Sequence, residues 1–500
     1  MRSKYFFLPG GFIKISMLLI CIQCISFYCD AQSFIGYHSS TYAGVYAVLI
    51  NPSDILNHRF KGDINLVGVS SFISNNVLSF KYSNKDLDKI VYPNPITKNG
   101  KLNFNTDVFG PSFLIKLSDK NALALTTRAR VFSNVSGVSK DILNSTLQDS
   151  IDLSLINNNL SISNHAATAH AWKEVALTYS RQIANTDYGV WKAGLSLKFL
   201  SGEAALFFNT NNLSFVHDSI IDTRDNLNRD AIINLQGRAT LKYTKNLDSL
   251  PDNINDYLAF KNPGVGVDAG LSYEYRDEMQ VYETAYSDKT ANYIWKVGAS
   301  ITDIGFIRYN KQKINSYTVN FSGNTYLTDQ LNTAADSSGI NYYKNLFNAS
   351  TRASTLTMQL PTTLHLTYDR FFNRLLGIQA LLNVPLVFSR LTSYSGNYNP
   401  VSFIVTPRAE TPWGGAYLPV SYNAVSGFNA GVALRLGPLV IGSSSIINTR
   451  ILNKTKALDA YFILRIPFFG YKDYKDKSPF YEHPELTRKQ RKALDCPQKL

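Results

Sequence analysis

The sequence predicts an all-β fold, a transmembrane antiparallel β-barrel of roughly 14 strands within a range of about 12 to 16. Three observations predict it: an export signal, long runs in which apolar and polar residues alternate, and connections that are short and long in turn. A soluble array of β-sandwiches is the alternative. Soluble strands are usually only about five or six residues long, and many of the runs here are longer.

Residues 1–31 have the features of a signal peptide. Its basic residues are Arg2, Lys4 and Lys14, and they precede a mostly apolar stretch over residues 15–25. That stretch is shorter than the roughly 20 residues that a membrane helix needs. A lipoprotein leader is the alternative, but no small residue precedes Cys21 or Cys24. We therefore predict cleavage after Ala31.

The alternating runs last for about ten residues, the length that a tilted strand needs to cross a bilayer. Two runs illustrate the pattern, with the apolar face of each in odd positions. They are Ile233, Leu235, Gly237, Ala239, Leu241 and Tyr243, and then Val265, Val267, Ala269, Leu271, Tyr273 and Tyr275. The polar faces include Arg238 and Lys242 in the first run and Asp268 in the second. We expect the apolar faces to contact lipid and the polar faces to line the lumen.

Connections of alternating length are typical of outer-membrane barrels, whose short turns face the periplasm. The predicted short turns are 118–121, 185–188, 372–375 and 437–438. The predicted long outer loops are 138–171, 202–229, 328–351 and 389–400. The barrel is assigned to residues 63–470.

Two segments flank the predicted barrel. Residues 32–62 contain small residues and Pro52, and they form either a plug inside the lumen or a simple N-terminal extension. Residues 471–500 lose the alternation and become basic. This periplasmic tail either contacts another protein or the cell wall, or is a solvated terminus.

Composition and motifs exclude several classes of protein. The net charge is +13, but the basic residues are dispersed and the chain carries an export signal, so a nucleic-acid partner is not expected. Three of the 4 cysteines lie in the leader, which leaves Cys496 and no disulfide or cysteine metal site. No zinc-protease, nucleophile-elbow or P-loop motif occurs. The grouping nearest to a hydrolase site, His38 with Ser39 and Ser40, precedes the strands. The sequence predicts no enzyme, cofactor or metal.

Several short motifs resemble a known superfamily. Residues 43–46 read Ala-Gly-Val-Tyr and residues 49–53 read Leu-Ile-Asn-Pro-Ser. They are similar to the Asn-Pro-Ala element that opens barrels of the long-chain fatty-acid transporter (FadL-like) superfamily, with Ser53 in place of alanine. Residues 303–306, 360–361 and 437–442 resemble an uncharacterised Bacteroidota family of outer-membrane barrels grouped near it.

The resemblance implies location in the outer membrane and passive uptake of hydrophobic molecules, with an N-terminal plug and a lateral opening in the wall. A second branch resembles barrels that serve a secretion machine. The implied partners are outer-membrane lipid, an amphipathic ligand and, through the tail, a periplasmic protein.

The polar strand faces carry more basic than acidic residues. The candidate ligand-binding cations are Arg128, Arg130, Arg238, Lys242, Arg435 and Arg465, with Lys192, Lys198 and Lys296 on further strands. The carboxylates on these faces are Glu174, Asp268, Glu274 and Asp369. We expect this surplus to attract the anionic end of an amphipathic ligand. The alternative is a lumen whose charges are solvated or paired with one another.

Overall fold

The structure is a computed structural model. It describes residues 33–58, 61–80, 91–93, 100–138, 159–162, 165–186, 188–222, 226–248, 259–276, 293–327, 340–373, 375–386, 395–396, 399–451 and 455–468. The predicted signal peptide and the predicted C-terminal tail lie outside these residues. Within them, none of the helices has the length and apolar character needed to cross a membrane.

Strands dominate the described residues. In chain order they are β1 (Gly62–Asn75), β2 (Leu78–Phe80), β3 (Val91–Pro93), β4 (Gly100–Phe109), β5 (Ser112–Ser118), β6 (Asn121–Val138), β7 (Asn159–Ile162), β8 (Ala166–Asn185), β9 (Gly189–Ile221), β10 (Asn228–Thr244), β11 (Pro263–Tyr275), β12 (Trp295–Tyr309), β13 (Ile314–Leu327), β14 (Ser350–Thr351), β15 (Leu356–Gln359), β16 (Thr363–Phe371), β17 (Leu376–Pro385), β18 (Ser395–Gly396), β19 (Ser402–Glu410), β20 (Gly414–Tyr417), β21 (Val420–Asn423), β22 (Gly427–Ala430), β23 (Val432–Leu436), β24 (Leu439–Ser443) and β25 (Ala457–Phe468). The 3₁₀ helices are η1 (Tyr37–Ser39), η2 (Gly44–Leu49), η3 (Pro52–Leu56), η4 (Lys245–Leu247) and η5 (Lys311–Lys313), and the α-helices are α1 (Ile340–Leu346) and α2 (Ile446–Ile451).

These strands close into an antiparallel barrel because β1 pairs with β25 along its whole length. The wall has 14 strands. Their order is β1, β4 with β5, β6, β8, β9, β11, β12, β15 with β16, β17, β19, β20 with β21, β22 with β23, β24 and β25. Prolines at 111, 361 and 419 fall in three of the interrupted strands, since proline cannot donate to a neighbour. The predicted all-β antiparallel barrel is confirmed.

Burial alternates along the wall strands as the sequence predicts. In β11, Asp268 and Ser272 are buried on the inner face, whereas Leu271 lies on the outer face with 48% of its surface exposed. The same alternation gives the barrel an outer surface rich in exposed apolar side chains. The predicted facing of Leu271 and Asp268 therefore agrees with the structure.

Neighbouring positions of β11 provide a direct test of this facing. With single cysteines at Leu271 and Ser272, we expect a bilayer-soluble probe to label position 271 and to leave position 272 unlabelled. Arginine at Leu271 should lower barrel stability by about 2 to 4 kcal/mol if the position lies near the bilayer midplane. The opposite labelling pattern would mean that the inner and outer faces of β11 are assigned wrongly by one residue.

The run from Ile233 to Thr244 is not a barrel strand, which corrects the prediction. It forms β10, which pairs with β13 and with the distal half of β9, residues 206–221. In the wall, the proximal half of β9, residues 189–201, pairs with β11 instead. Strand β9 is 33 residues long and includes most of the predicted loop 202–229. These strands form an extension sheet beyond the barrel wall. Leu235 is buried within it instead of facing lipid.

The two ends of the barrel differ. The four predicted short turns join β5 to β6, β8 to β9, β16 to β17 and β23 to β24 at one end. Strand β1 begins and β25 ends at this same end, since Gly62 pairs with Phe468. The extension sheet lies at the other end. The segment 33–58 enters the barrel beside Gly62 and continues within the lumen.

Candidate functional site

Residues 33–58 lie inside the barrel, almost wholly buried. Their partners are on strands from all around the wall, which only a segment within the lumen can reach. Asn51 Nδ2 donates to the carbonyl of Leu271 at 3.0 Å. On other strands, Ser180 Oγ donates to the carbonyl of Ser53 at 3.0 Å, and Tyr46 OH donates to Asn65 Oδ1 at 2.7 Å.

Three wall glycines make room for the Asn-Pro-Ser element of this segment. A Cβ at Gly270 would lie 2.0 Å from Asn51 Oδ1, and one at Gly194 would lie 2.3 Å from the backbone of Pro52 and Ser53. At Gly298 the Asn51 amide would be 3.0 Å away. Because Cβ atoms do not approach other atoms below about 3 Å without displacing them, η3 docks only where the wall lacks side chains. We call Gly194, Gly270 and Gly298 the glycine cradle.

A second contact is aromatic. Phe34, Tyr37 and Tyr46 of the segment pack edge-on against one another and against wall residues Phe109 and Tyr417. The rings of Phe34 and Tyr46 have centroids 4.7 Å apart. Offset and edge-to-face rings add to the stabilisation given by burial alone.

A third contact is with the carboxylate of Glu410 on β19. Ser40 Oγ and Thr41 Oγ1 both donate to this carboxylate, and Tyr417 OH donates to it at 2.9 Å. Ser40 Oγ therefore bonds to both Glu410 and Tyr417. Burial lowers the pKa of His38 to about 3, so this imidazole is neutral.

The middle of the lumen holds a compact network of buried ion pairs. Arg128 pairs with Asp107 and Glu174, and Arg130 pairs with Glu174 at 3.5 Å and with Asp303 at 2.9 Å. Lys198 completes it, 2.6 Å from Asp303 and 2.8 Å from Asp268. Ser33 Oγ of the N-terminal segment donates to Asp107 at 2.7 Å. Three cations thus face four carboxylates.

Asp303 joins this network through an irregularity of the wall. The pairing of β12 with β11 shifts between Ile301 and Ile304, and Asp303 has a φ of 59°. That left-handed conformation turns the carboxylate inward, while Ile304 and Phe306 remain exposed on the outer face. Aspartate tolerates it better than most residues do.

A cavity of about 90 Å³ lies between the network and the N-terminal segment. It is lined by Arg128, Arg130, Glu174, Lys198, Asp268, Asp303, His38 and His365, together with uncharged residues. Ligand pockets are usually about 300 to 1,000 Å³, so this cavity suits water and not a long solute.

Beyond the network, towards the extension sheet, the lumen is apolar. The outer lumen cluster consists of Phe132, Trp172, Leu200, Ala205, Ile307, Tyr309, Ile314, Leu356, Met358 and Leu360. Arg130 links the two regions, because its guanidinium lies 4.8 Å from the Trp172 ring centroid. His170 stacks on Trp172 and bonds to Tyr309 OH at 3.1 Å.

The structure places the six predicted ligand-binding cations in different regions of the protein. Arg128 and Arg130 line the cavity. Arg435 is buried over the ring of Tyr42 and donates to backbone carbonyls, and Arg465 pairs with Asp63 at 3.2 Å.

Arg238 and Lys242 do not line the cavity, which corrects their predicted placement in the lumen. Arg238 is exposed and donates to Asn320 Oδ1 at 2.8 Å. Lys242 is half-buried. Both belong to the extension sheet because β10 is not a wall strand.

The predicted basic surplus is also corrected, since the buried inner faces carry carboxylates that the sequence reasoning missed. They include Asp63, Asp107, Asp303, Glu410 and Asp459 on the wall, and Asp54 of η3 adds a further carboxylate; a missed cation is Arg408. Lys192 and Lys296 are paired too, with Glu274 at 2.6 Å and Asp54 at 2.8 Å. Apart from Arg435, which donates to backbone carbonyls, these buried cations are therefore paired with the protein's own acids.

The chain is similar to several solved structures. A crystal structure of a Pseudomonas aeruginosa FadL homologue is 11% identical with a TM-score of 0.40, covering 88% of this chain and 98% of that one. The Pseudomonas putida toluene transporter TodX is 10% identical with a TM-score of 0.32, covering 88% of this chain and 99% of that one. A deltaS2 mutant of the TodX monoaromatic hydrocarbon channel is 10% identical with a TM-score of 0.37, covering 85% and 95%. The barrel is seen directly in the structure and does not depend on these likenesses.

No curated protein matches the sequence. One family model does, over residues 53–444, which include the docking residue Ser53, the glycine cradle and the ion-pair network. The chain therefore belongs to the family of unknown function DUF5723.

Proposed function

We propose that this protein is an outer-membrane β-barrel that passively binds and transports hydrophobic or amphipathic solutes, with residues 33–58 as a displaceable plug. The observation that carries the proposal is how the lumen is closed. A separate segment of chain fills it through hydrogen bonds, ring contacts and the glycine cradle. Such a closure can be removed without unfolding the wall.

The outer surface supports a membrane location. Exposed apolar side chains cover the wall, and backbone groups within the closed sheet are satisfied by their neighbours, as a bilayer requires. At the short-turn end, the rings of Trp191, Tyr273, Tyr275 and Trp295 form a contiguous group. Aromatic groups of this kind mark membrane interfaces.

The lumen favours a solute with a large apolar body. The outer lumen cluster is buried and made of aromatic and aliphatic side chains, so a solute that displaced them would meet apolar groups, whereas the ion-pair network holds no surplus cation. An anionic head group would have to displace a carboxylate from Arg128 or Arg130, the two predicted cations that line the cavity. We therefore propose that uncharged solutes pass more readily than their carboxylate analogues.

Uptake in cells tests the proposal. We expect the full mature chain to speed entry of the hydrophobic dye 1-N-phenylnaphthylamine across an intact outer membrane while excluding a small sugar such as arabinose. A variant lacking residues 33–58 should admit both the dye and arabinose, because no plug then separates the two ends of the lumen. A wild-type chain that leaves dye entry unchanged would refute transport.

The second candidate is a barrel that serves secretion or surface assembly, and the extension sheet favours it. Strands β9, β10 and β13 carry ordered structure well beyond the wall, which a simple channel does not need. Under this alternative, removing β10 and β13 would abolish a surface-assembly phenotype, and deleting residues 33–58 would leave that phenotype intact. Proposed transport predicts instead that dye uptake persists without β10 and β13, and that deleting residues 33–58 removes the exclusion of arabinose.

A further inference from the structure

On three neighbouring strands, the apolar outer surface of the wall ends at a single level, which we call the apolar margin. Phe199, Val265 and Phe306 are cross-strand partners, so they lie at one height. Their exposures are 60%, 62% and 54%, among the highest on these strands. Because the outer faces below them are also apolar, these three residues mark where the apolar belt ends at the extension-sheet end.

Basic side chains follow directly beyond this margin. Arg308 is two residues past Phe306 on the same face of β12 and is exposed. Two strand residues span about 6.6 Å, roughly the thickness of the headgroup layer of one leaflet. Lys173 on β8 lies opposite Ser201, two residues past Phe199. Lys261 precedes β11 on the same side of the margin.

Helix η5 extends the group, since Lys311 and Lys313 are both exposed. We name Lys173, Lys261, Arg308, Lys311 and Lys313 the outer basic row. Two described carboxylates border the row: Glu203 pairs with Lys173 at 2.9 Å, and Asp248 accepts from Tyr243 and from Asn315, two residues after Lys313. The row therefore keeps a net positive charge.

We propose that the outer basic row binds the phosphate groups of anionic lipids in the outer leaflet. The proposal rests on the membrane location in the proposed function and is independent of transport. The guanidinium of Arg308 offers the paired donors that suit a phosphate, and the lysines add charge beside it. The apolar margin immediately below gives the acyl chains of the same lipid a surface to contact. A lipid can contact both the outer basic row and the apolar margin, whereas a free anion can contact only the row.

Lipid binding by the purified full chain tests this proposal, with diphosphoryl lipid A as the probe. The variant Arg308→Gln, Lys311→Gln, Lys313→Gln should bind it on the order of 100-fold more weakly, since each basic residue near a lipid surface contributes about a factor of five. The matched control Lys120→Gln, Arg181→Gln, Arg370→Gln removes three exposed cations at the opposite end and should bind as the wild type does.

Two further arms identify the source of the phosphate. Lipid A without phosphate should bind equally weakly to the wild type and the triple variant, and inorganic phosphate at the same concentration should not compete. Equal binding of diphosphoryl lipid A by the triple variant and the wild type would overturn the proposal. So would an equal loss in the control variant. Dye uptake by the triple variant should stay unchanged, which separates this result from the test of transport.

Discussion

Replacing Gly270 by valine is expected to displace residues 33–58 from the lumen while the barrel remains folded. A Cβ at position 270 would lie 2.0 Å from Asn51 Oδ1, and valine adds two methyl groups beyond it. Overpacking of this kind costs about 1 to 3 kcal/mol. That cost would shift the equilibrium towards the displaced segment by roughly 5- to 150-fold. Valine itself suits a strand, so the wall should tolerate it.

Cysteine labelling measures this displacement. Ile55 in η3 is fully buried, so a cysteine at this position, combined with Cys496→Ser, should react slowly with a water-soluble maleimide. Adding Gly270→Val should raise the labelling rate in proportion to the displaced fraction. Ala269→Val is the matched control, because Ala269 is the neighbouring residue on the exposed outer face. Equal rates in both valine variants would mean that the glycine cradle does not hold the segment.

The sequence predicted the wall of the barrel well, because its signals are local. A period of two sets which face of a strand is apolar, as Leu271 and Asp268 illustrate. Short turns such as 118–121 and 437–438 are bounded by the strands that they join. These features need no knowledge of the rest of the chain.

The position of β10 could not be predicted in the same way. Alternation reports that one face is buried and the other polar, but it does not report what covers the buried face. Here the distal half of β9 and strand β13 flank the run, so Leu235 is buried in protein. Strand β10 follows β9 directly in sequence, whereas β11 pairs with β9 from farther along the chain, and no local pattern encodes which of the two continues the wall.

The site was only partly predictable for a related reason. The sequence shows small residues on the polar strand faces at Gly194, Gly270 and Gly298. Their contact with η3 can be recognised only in the folded structure. The motif around Asn51 was noticed through family resemblance, without its contact. The inward position of Asp303 was not predicted, because a register shift and not the alternation turns this side chain inward.

Replacing Asp303 by asparagine is expected to lower the stability of the barrel strongly. The change keeps the side-chain shape and tolerates the positive φ, but it removes the carboxylate that faces Arg130 and Lys198. Breaking a buried pair from one side costs about 3 to 5 kcal/mol, and here Arg130 and Lys198 each lose their nearest carboxylate inside the lumen. Urea unfolding of the barrel in lipid vesicles measures the free energy of unfolding.

The triple variant Asp303→Asn, Lys198→Met, Asp268→Asn separates charge balance from a general effect of the site. It removes Lys198 together with both of its carboxylates, so Arg128 and Arg130 face Asp107 and Glu174 and no buried carboxylate of the network is left without a cation. We expect it to recover much of the lost stability, because a buried pair is often replaced by apolar groups at little cost. The variant Lys120→Gln, which removes an exposed charge in the turn between β5 and β6, should change stability by less than about 0.5 kcal/mol. If the triple variant were no more stable than Asp303→Asn, unpaired charge would not be the cause, and the backbone irregularity at Asp303 would become the better explanation.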